Sequence, residues 1–298
     1  MNHQDKLFII NKLSGNDRNR SPIINAIKRN FKDAEIAIIK EKNEFNPTID
    51  FAKSQKFNSI IINGGDGTIN SFLPVIIETK KVLGIIPSGS GNGLARTLGI
   101  PLNPLEAITQ ISQFKPQHID VGKVKILTDK KIIEKYFVCA VGLGIDANMA
   151  DRFEKQKVRG LTGYILAGIK ELFSYKPVKA KIKSDNQSIR ENLYTILSVM
   201  NIPQYGNDFY IVPSARANDG FLNLVLLEKT GIWAYPYVGF NFLMKREKKP
   251  VHYLKAKNIV AEILSDNVCC HIDGEPYKET NISRIEIEVM PSAISVLM

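Results

Sequence analysis

The stretch SIIINGGDGTIN, Ser59 to Asn70, changes character midway. Ser59 to Ile62 is a β-branched run with little polar interruption, the pattern of a strand buried on both faces. Gly64, Gly65 and Gly67 then free the backbone, and Thr68 to Thr79 reads as a helix. Strand, glycine loop and helix in this order make one unit of an α/β sheet. Backbone N–H groups in such a loop can approach an anion, most often phosphate. A carboxylate at Asp66 should repel that phosphate, so its presence needs a reason.

The same pattern continues on both sides. Leu7 to Ile10 is an apolar run ended by NKLSGN, and Pro22 to Phe31 has helical spacing through Ile23, Ile24, Ile27 and Phe31. Ile36 to Ile39 reads as strand and Pro47 to Lys56 as a weaker helix. Val82 to Ile86 is a further buried strand, followed by PSGSGNG, a helix through Leu98, and another over Leu102 to Phe114. Continuous apolar strands separated by helices predict an α/β domain with a parallel sheet. The carboxyl ends of parallel strands share one edge, where ligands bind. NKLSG, NGGDGT and SGSGNG are therefore expected to converge.

From about His118 the pattern changes. HIDVGKVKI, KIIEKYFVCAVGLG, KAKIK, LYTILSVMNI, GFLNLVLLE, HYLKAKNIVAEIL, VCCHIDGE and SRIEIEVM read as closely spaced strands, with one helix over Gly160 to Phe173. This predicts an all-β, sandwich-like second domain with one or two helices. The expected domains are 1–120 and 121–298, with the last strand a candidate to return to the first.

Composition limits the possible classes. With 298 residues, 44% hydrophobic and 23% charged, the chain can bury two ordinary cores. The net charge of +10 favours an anionic partner such as a nucleotide or an acidic membrane surface. Cys139, Cys269 and Cys270 form neither a C-x-x-C pair nor a disulfide framework, which predicts a reducing, cytoplasmic setting. No run approaches the roughly 18 to 20 apolar residues that span a bilayer, and the N-terminal apolar run is too short for a signal peptide. Contact with lipid is thus expected to be peripheral. Two basic groups are candidates for it: Lys245, Arg246, Lys248, Lys249, Lys255 and Lys257, and a second set from Lys170 to Lys183.

The glycine loops match neither G-x-x-x-x-G-K-[ST] nor G-x-G-x-x-G. As an ordered set, however, NGGDGTIN, IIPSGSGNGLAR, AVGLGIDANM, GYILAGIKELFSYKP, PSARANDGFLNLVLLE and HIDGEPY resemble the diacylglycerol kinase and sphingosine kinase family over nearly the whole chain. The resemblance implies an ATP-dependent lipid kinase with a cleft between two domains, Mg²⁺ as cofactor, a membrane lipid as substrate and no nucleic-acid partner; a homodimer is plausible. An NAD kinase-like enzyme or an inactive nucleotide-binding regulator is the alternative.

Site residues follow from the same resemblance. Asn11, Ser14, Gly15, Gly64, Gly65, Asp66, Gly67, Thr68, Asn70, Gly89, Ser90 and Asn92 would border the nucleotide, with Asp66 at its Mg²⁺-bound phosphate end. Mg²⁺ keeps several waters and takes one or two carboxylates beside phosphate oxygens, which would make an acid there tolerable. Glu275, last in the Asp273-Gly274-Glu275 turn, would be the general base, with Asp273 on the same turn as its internal control. A structural metal would take the side chain of Asp219 and the carbonyls of Arg216 and Phe221, and Asp146 would meet the substrate head. The chain also departs from the family. Lys12 replaces a proline, Asn218 an acid, Gly93 the aspartate of G-T-x-N-D, and Asn207-Asp208 two glycines.

Overall fold

The computed structural model describes the chain except residues 1–4, 16–18, 146–175, 186, 207–208 and 278–280. Asp146 and the helix expected over 160–173 thus lie outside the described residues. The chain divides into two compact units, Met1–Ile119 with Ser292–Met298, and Asp120–Pro291.

Unit 1 contains strands β1 (Lys6–Asn11), β2 (Glu35–Ile39), β3 (Ser59–Gly64) and β4 (Val82–Pro87). Its helices are α1 (Ser21–Asn30), α2 (Phe45–Ala52), α3 (Asp66–Thr79), α4 (Gly93–Thr97) and α5 (Pro104–Gln110). All strand pairs are parallel, in the order β2-β1-β3-β4. Both faces are covered, so Phe8, Ile9 and Ile10 are buried alike, as are Ile60, Ile61 and Ile62. Ile23 and Ile27 of α1 and Ile108 of α5 close one face against Phe8, Ile10, Ile61 and Ile86. Leaving β1, the chain turns first to β2 on one side and then to β3 on the other. The strand order therefore reverses between β1 and β3, the crevice where open α/β sheets hold ligands. The loops after β1 and β3 border it.

Unit 2 is built from most of β5 (Pro116–Thr128) and of β15 (Ile282–Leu297), with β6 (Ile132–Phe137), β7 (Ala140–Gly144), β8 (Val178–Ser184), β9 (Gln187–Met200), β10 (Leu222–Glu228), β11 (His252–Ala256), β12 (Asn258–Ile263), β13 (Cys270–Ile272) and β14 (Glu275–Tyr277) between them. Strand β9 pairs antiparallel with β7, β8 and β10. β8 alternates buried and exposed residues throughout, with Val178, Ala180 and Ile182 inward and lysines between. The inward residues join Phe137, Leu197, Leu224 and Ile285 in one core. A helix, α6 (Ala234–Leu243), rests on a second cluster containing Met200, Val212 and Val225.

β15 serves both units. Ile285 and Ile287 pair with Ala261 and Ile259 of β12, while Ser295 and Val296 pair parallel with Val82 and Leu83 of β4. The changeover falls at Pro291, which lacks an N–H, and Ser292, whose φ is 52°. The α/β sheet followed by a β-sandwich-like domain is the fold class the sequence predicts.

Candidate functional site

Three loops of unit 1 meet at the carboxyl edge of its sheet. Asn11 ends β1 and is buried. Its Nδ2 donates to Thr68 Oγ1 at 2.8 Å, and its Oδ1 accepts from Leu13 N at 2.8 Å. One side chain thus ties the first loop to the first turn of α3. Gly15 has φ 73°, and a Cβ there would lie 2.1 Å from the carbonyl oxygen of Ser88, so the first loop also rests on the third. The second and third loops touch backbone to backbone: a Cβ on Gly89 would stand 2.5 Å from Gly65 Cα. Asn92, at φ 51°, accepts from Gly89 N and donates to Gly89 O, both at 2.9 Å, closing the third loop on itself. Ser14, Gly67, Asn70 and Ser90 are partly buried within these same loops and the first turns of α3.

Asp66 has a role that the sequence left open. Its Oδ2 accepts from Gly93 N at 2.8 Å and its Oδ1 from Leu94 N at 3.1 Å. These are first-turn N–H groups of α4. Asn92, the residue before that helix, spends its side chain on Gly89 and gives no cap. Asp66 supplies the cap from α3 and fastens the two glycine loops together. A carboxylate has about four acceptor positions, and these N–H bonds use two. The acid among the glycines is therefore first an organiser of the loops.

Two further residues enter the site without a sequence signal. Arg20 is 4% exposed, and its Nη2 donates to the carbonyl of Ser14 in the first loop. A buried guanidinium beside such loops suits an anion. Ser88 directs a buried Oγ with no protein partner at the base of the third loop. A buried hydroxyl left so is expected where a polar ligand completes the site.

In unit 2 the Asp-Gly-Glu turn joins β13 to β14. Glu275 is exposed at its end. Asp273 is buried, and its carboxylate accepts from Val138 N at 3.0 Å, Cys139 N at 2.7 Å and Ala140 N at 3.0 Å. Its own N–H donates to Ala140 O at 2.8 Å. Asp273 therefore does more than shape its turn: it anchors the hairpin to the start of β7. Gly274 N donates to Nδ1 of buried His271 at 3.3 Å, and that ring stands edge-on to Tyr205.

In the segment expected to hold a structural metal, the acids make contacts within the protein. Asp219 Oδ1 accepts from Phe221 N at 3.1 Å, and Oδ2 is held by the ammonium of Lys255. Buried Asp120 accepts from Gly220 N at 2.7 Å. Arg216 is exposed. Among the described residues, no group of three or more His, Cys, Asp or Glu side chains could hold a metal ion. Lys255 thus engages one oxygen of Asp219, the side chain expected to meet that metal.

Comparison with known proteins agrees in both units. Residues 5–124 match the diacylglycerol kinase catalytic domain, and residues 139–298 match the YegS C-terminal NAD kinase beta sandwich-like domain. A diacylglycerol kinase of Bacillus subtilis (strain 168) is 28% identical over 80% of each chain. A diacylglycerol kinase of Mycobacterium tuberculosis (strain CDC 1551 / Oshkosh) is 30% identical over 57% of this chain, which spans about half (55%) of that relative. A crystal structure of a diacylglycerol kinase from Bacillus anthracis str. Sterne superposes with a TM-score of 0.73 at 23% identity, covering 99% of this chain and 96% of that one. No helix among the described residues is long and apolar enough to cross a membrane.

Proposed function

The chain belongs to the diacylglycerol kinase family, and from that premise we propose that it transfers the γ-phosphate of ATP to a hydroxyl of a membrane lipid, diacylglycerol-like or sphingoid-like. The observation that carries this reading is the meeting of three loops at the switch point of the unit 1 sheet, with buried Arg20 and the unpartnered Ser88 hydroxyl beside them. Phosphoryl transfer asks a protein mainly for positioning and charge stabilisation. Asn11, Ser14 and Gly15, the run from Gly64 to Thr68 with Asn70, and Gly89, Ser90 and Asn92 would cradle Mg–ATP as substrate. Asp66 would face the waters of the Mg²⁺ that accompanies the nucleotide while holding the third loop in place. Glu275, an exposed carboxylate, would take the proton from the attacking hydroxyl. Its working place would be the cytoplasmic face of a membrane.

The test incubates the purified chain with radiolabelled ATP and, separately, with diacylglycerol, a sphingoid base and NAD⁺. A labelled phospholipid is the expected product. Labelled NADP⁺ would transfer the assignment to an NAD kinase-like enzyme. Nucleotide binding with no labelled product from any acceptor would leave a regulator.

A further inference from the structure

Helix α6 is apolar on two sides. Val238 and Phe242 turn into the unit 2 core. Trp233, just before the helix, Tyr237, Phe240 and Leu243 turn outward, exposed by 89%, 51%, 52% and 47%. Their spacing of four, three and three residues sets them in one stripe. No charged residue occurs from Ile232 to Met244. The run that follows, KREKK, is dense in charge: Lys245, Arg246, Lys248 and Lys249 are all basic, and the acid among them, Glu247, accepts from Ser214 N at 2.8 Å. Lys245 stands over the ring of Tyr210 at 4.1 Å, and among the described residues Arg246, Lys248 and Lys249 have no ion-pair partner.

We propose that this face seats the protein on an anionic phospholipid bilayer, with Trp233, Tyr237, Phe240 and Leu243 entering the headgroup layer and the basic run resting on lipid phosphates. Tryptophan and tyrosine favour that depth because one end of the ring is apolar and the other polar. An exposed apolar stripe rimmed by charge marks an interaction surface, and charge selects its occupant. A second copy would offer the basic run either the same run or the uncharged stretch from Ile232 to Met244, and so no complementary charge. A bilayer rich in acidic lipid offers the complementary sign. The inference deepens the lipid-kinase reading by naming where the protein meets its substrate's membrane, and its test uses no kinase readout, so each can fail separately.

Trp233 is the sole tryptophan of the chain, so its emission reports this face without mutation. The full chain is mixed with vesicles of phosphatidylglycerol and phosphatidylcholine, and with phosphatidylcholine alone. The expected result is a blue shift, and quenching by lipids with brominated acyl chains, on the acidic vesicles only. Raising salt from about 0.1 to 0.5 M should weaken binding at least ~10-fold as the charges are screened. The double variant Phe240→Ser, Leu243→Ser, at exposed positions, should lose ~10-fold or more in vesicle affinity with an unchanged thermal transition. If that variant unfolds, Lys248→Gln with Lys249→Gln tests the same face through its charge. Sedimentation with vesicles while the emission stays fixed would place membrane contact elsewhere and overturn the proposal. A blue shift that grows with protein concentration in the absence of lipid would overturn it in favour of a second copy. Absence of sedimentation with either vesicle would overturn it outright.

Discussion

At the scale of single residues, two carboxylates on one turn are placed differently. Asp273 accepts three N–H bonds from Val138, Cys139 and Ala140, whereas Glu275 is exposed. Asp273→Asn turns an amide NH₂ toward those donors and removes the charge, at a cost of about 3 kcal/mol or more. Glu275→Gln should leave the thermal transition in place and lower kcat by roughly 10²-fold or more if Glu275 takes the hydroxyl proton. Calorimetry of both variants, with steady-state kinetics on a working lipid, separates the roles. A near-normal kcat for Glu275→Gln would return that residue to the solvent. Asp66→Asn tests the organiser of the loops. Asparagine can accept one of the two N–H bonds from Gly93 and Leu94 but opposes the other, so stability should fall by about 1–2 kcal/mol and phosphoryl transfer should be lost. Full activity together with a lower melting temperature would reduce Asp66 to a cap. The glycine loops were legible because glycine has few uses after a buried strand. The partners of Asp66 and Asp273 were not, because they lie 27 and about 134 residues away along the chain and only the folded sheet brings them near.

At the scale of elements, the parallel strands could be read directly. Runs such as Ser59 to Ile62 are buried on both faces, and a short, unbroken apolar run between helices has little to become except a central strand. Helix α6 could not be read in this way. It contains Pro236, has no charged side and alternates aromatic with small residues, so neither helical nor strand periodicity stands out. The loop from Arg216 to Phe221 shows a different limit. Its sequence suggests a metal, and the residue that pairs with Asp219, Lys255, sits on β11, the strand paired with β10. The lysine head on Asp219 brings a positive charge to this loop. The melting temperature of the purified protein should therefore not respond to a chelator. Lys255→Met should cost about 1 kcal/mol, as the ion pair is half exposed, and should make the melting temperature rise with added Mg²⁺. A fall in the wild-type melting temperature on chelation would show that Lys255 has not taken the cation's place.

At the scale of the molecule, one strand decides how stability is shared. β15 begins in unit 2 beside β12 and ends beside β4 in unit 1. The terminal segment buries Ile294, Val296 and Leu297 at 3%, 0% and 4% exposure. Met298 and Lys115 exchange backbone bonds at 3.2 and 3.3 Å, tying the end of the chain to the exit from unit 1. Burying each of those side chains is worth about 1.5–3 kcal/mol, so together they contribute at least about 5 kcal/mol, the order of a whole domain's net stability. Deleting residues 292–298 should therefore leave the β4 edge unpaired and unfold unit 1, although every loop of the proposed nucleotide site is intact in sequence. Unit 2 ends at Pro291 and keeps its β12 pairing, so its own transition should persist. Calorimetry should show the loss of one transition of two, and titration with ATP should show no binding. The graded variant Val296→Ala should lower only the same transition, by about 1–3 kcal/mol. If the deletion left ATP binding unchanged, the nucleotide loops would be held by the first four strands alone, and the returning strand would be a tether between units rather than part of the sheet that positions the site.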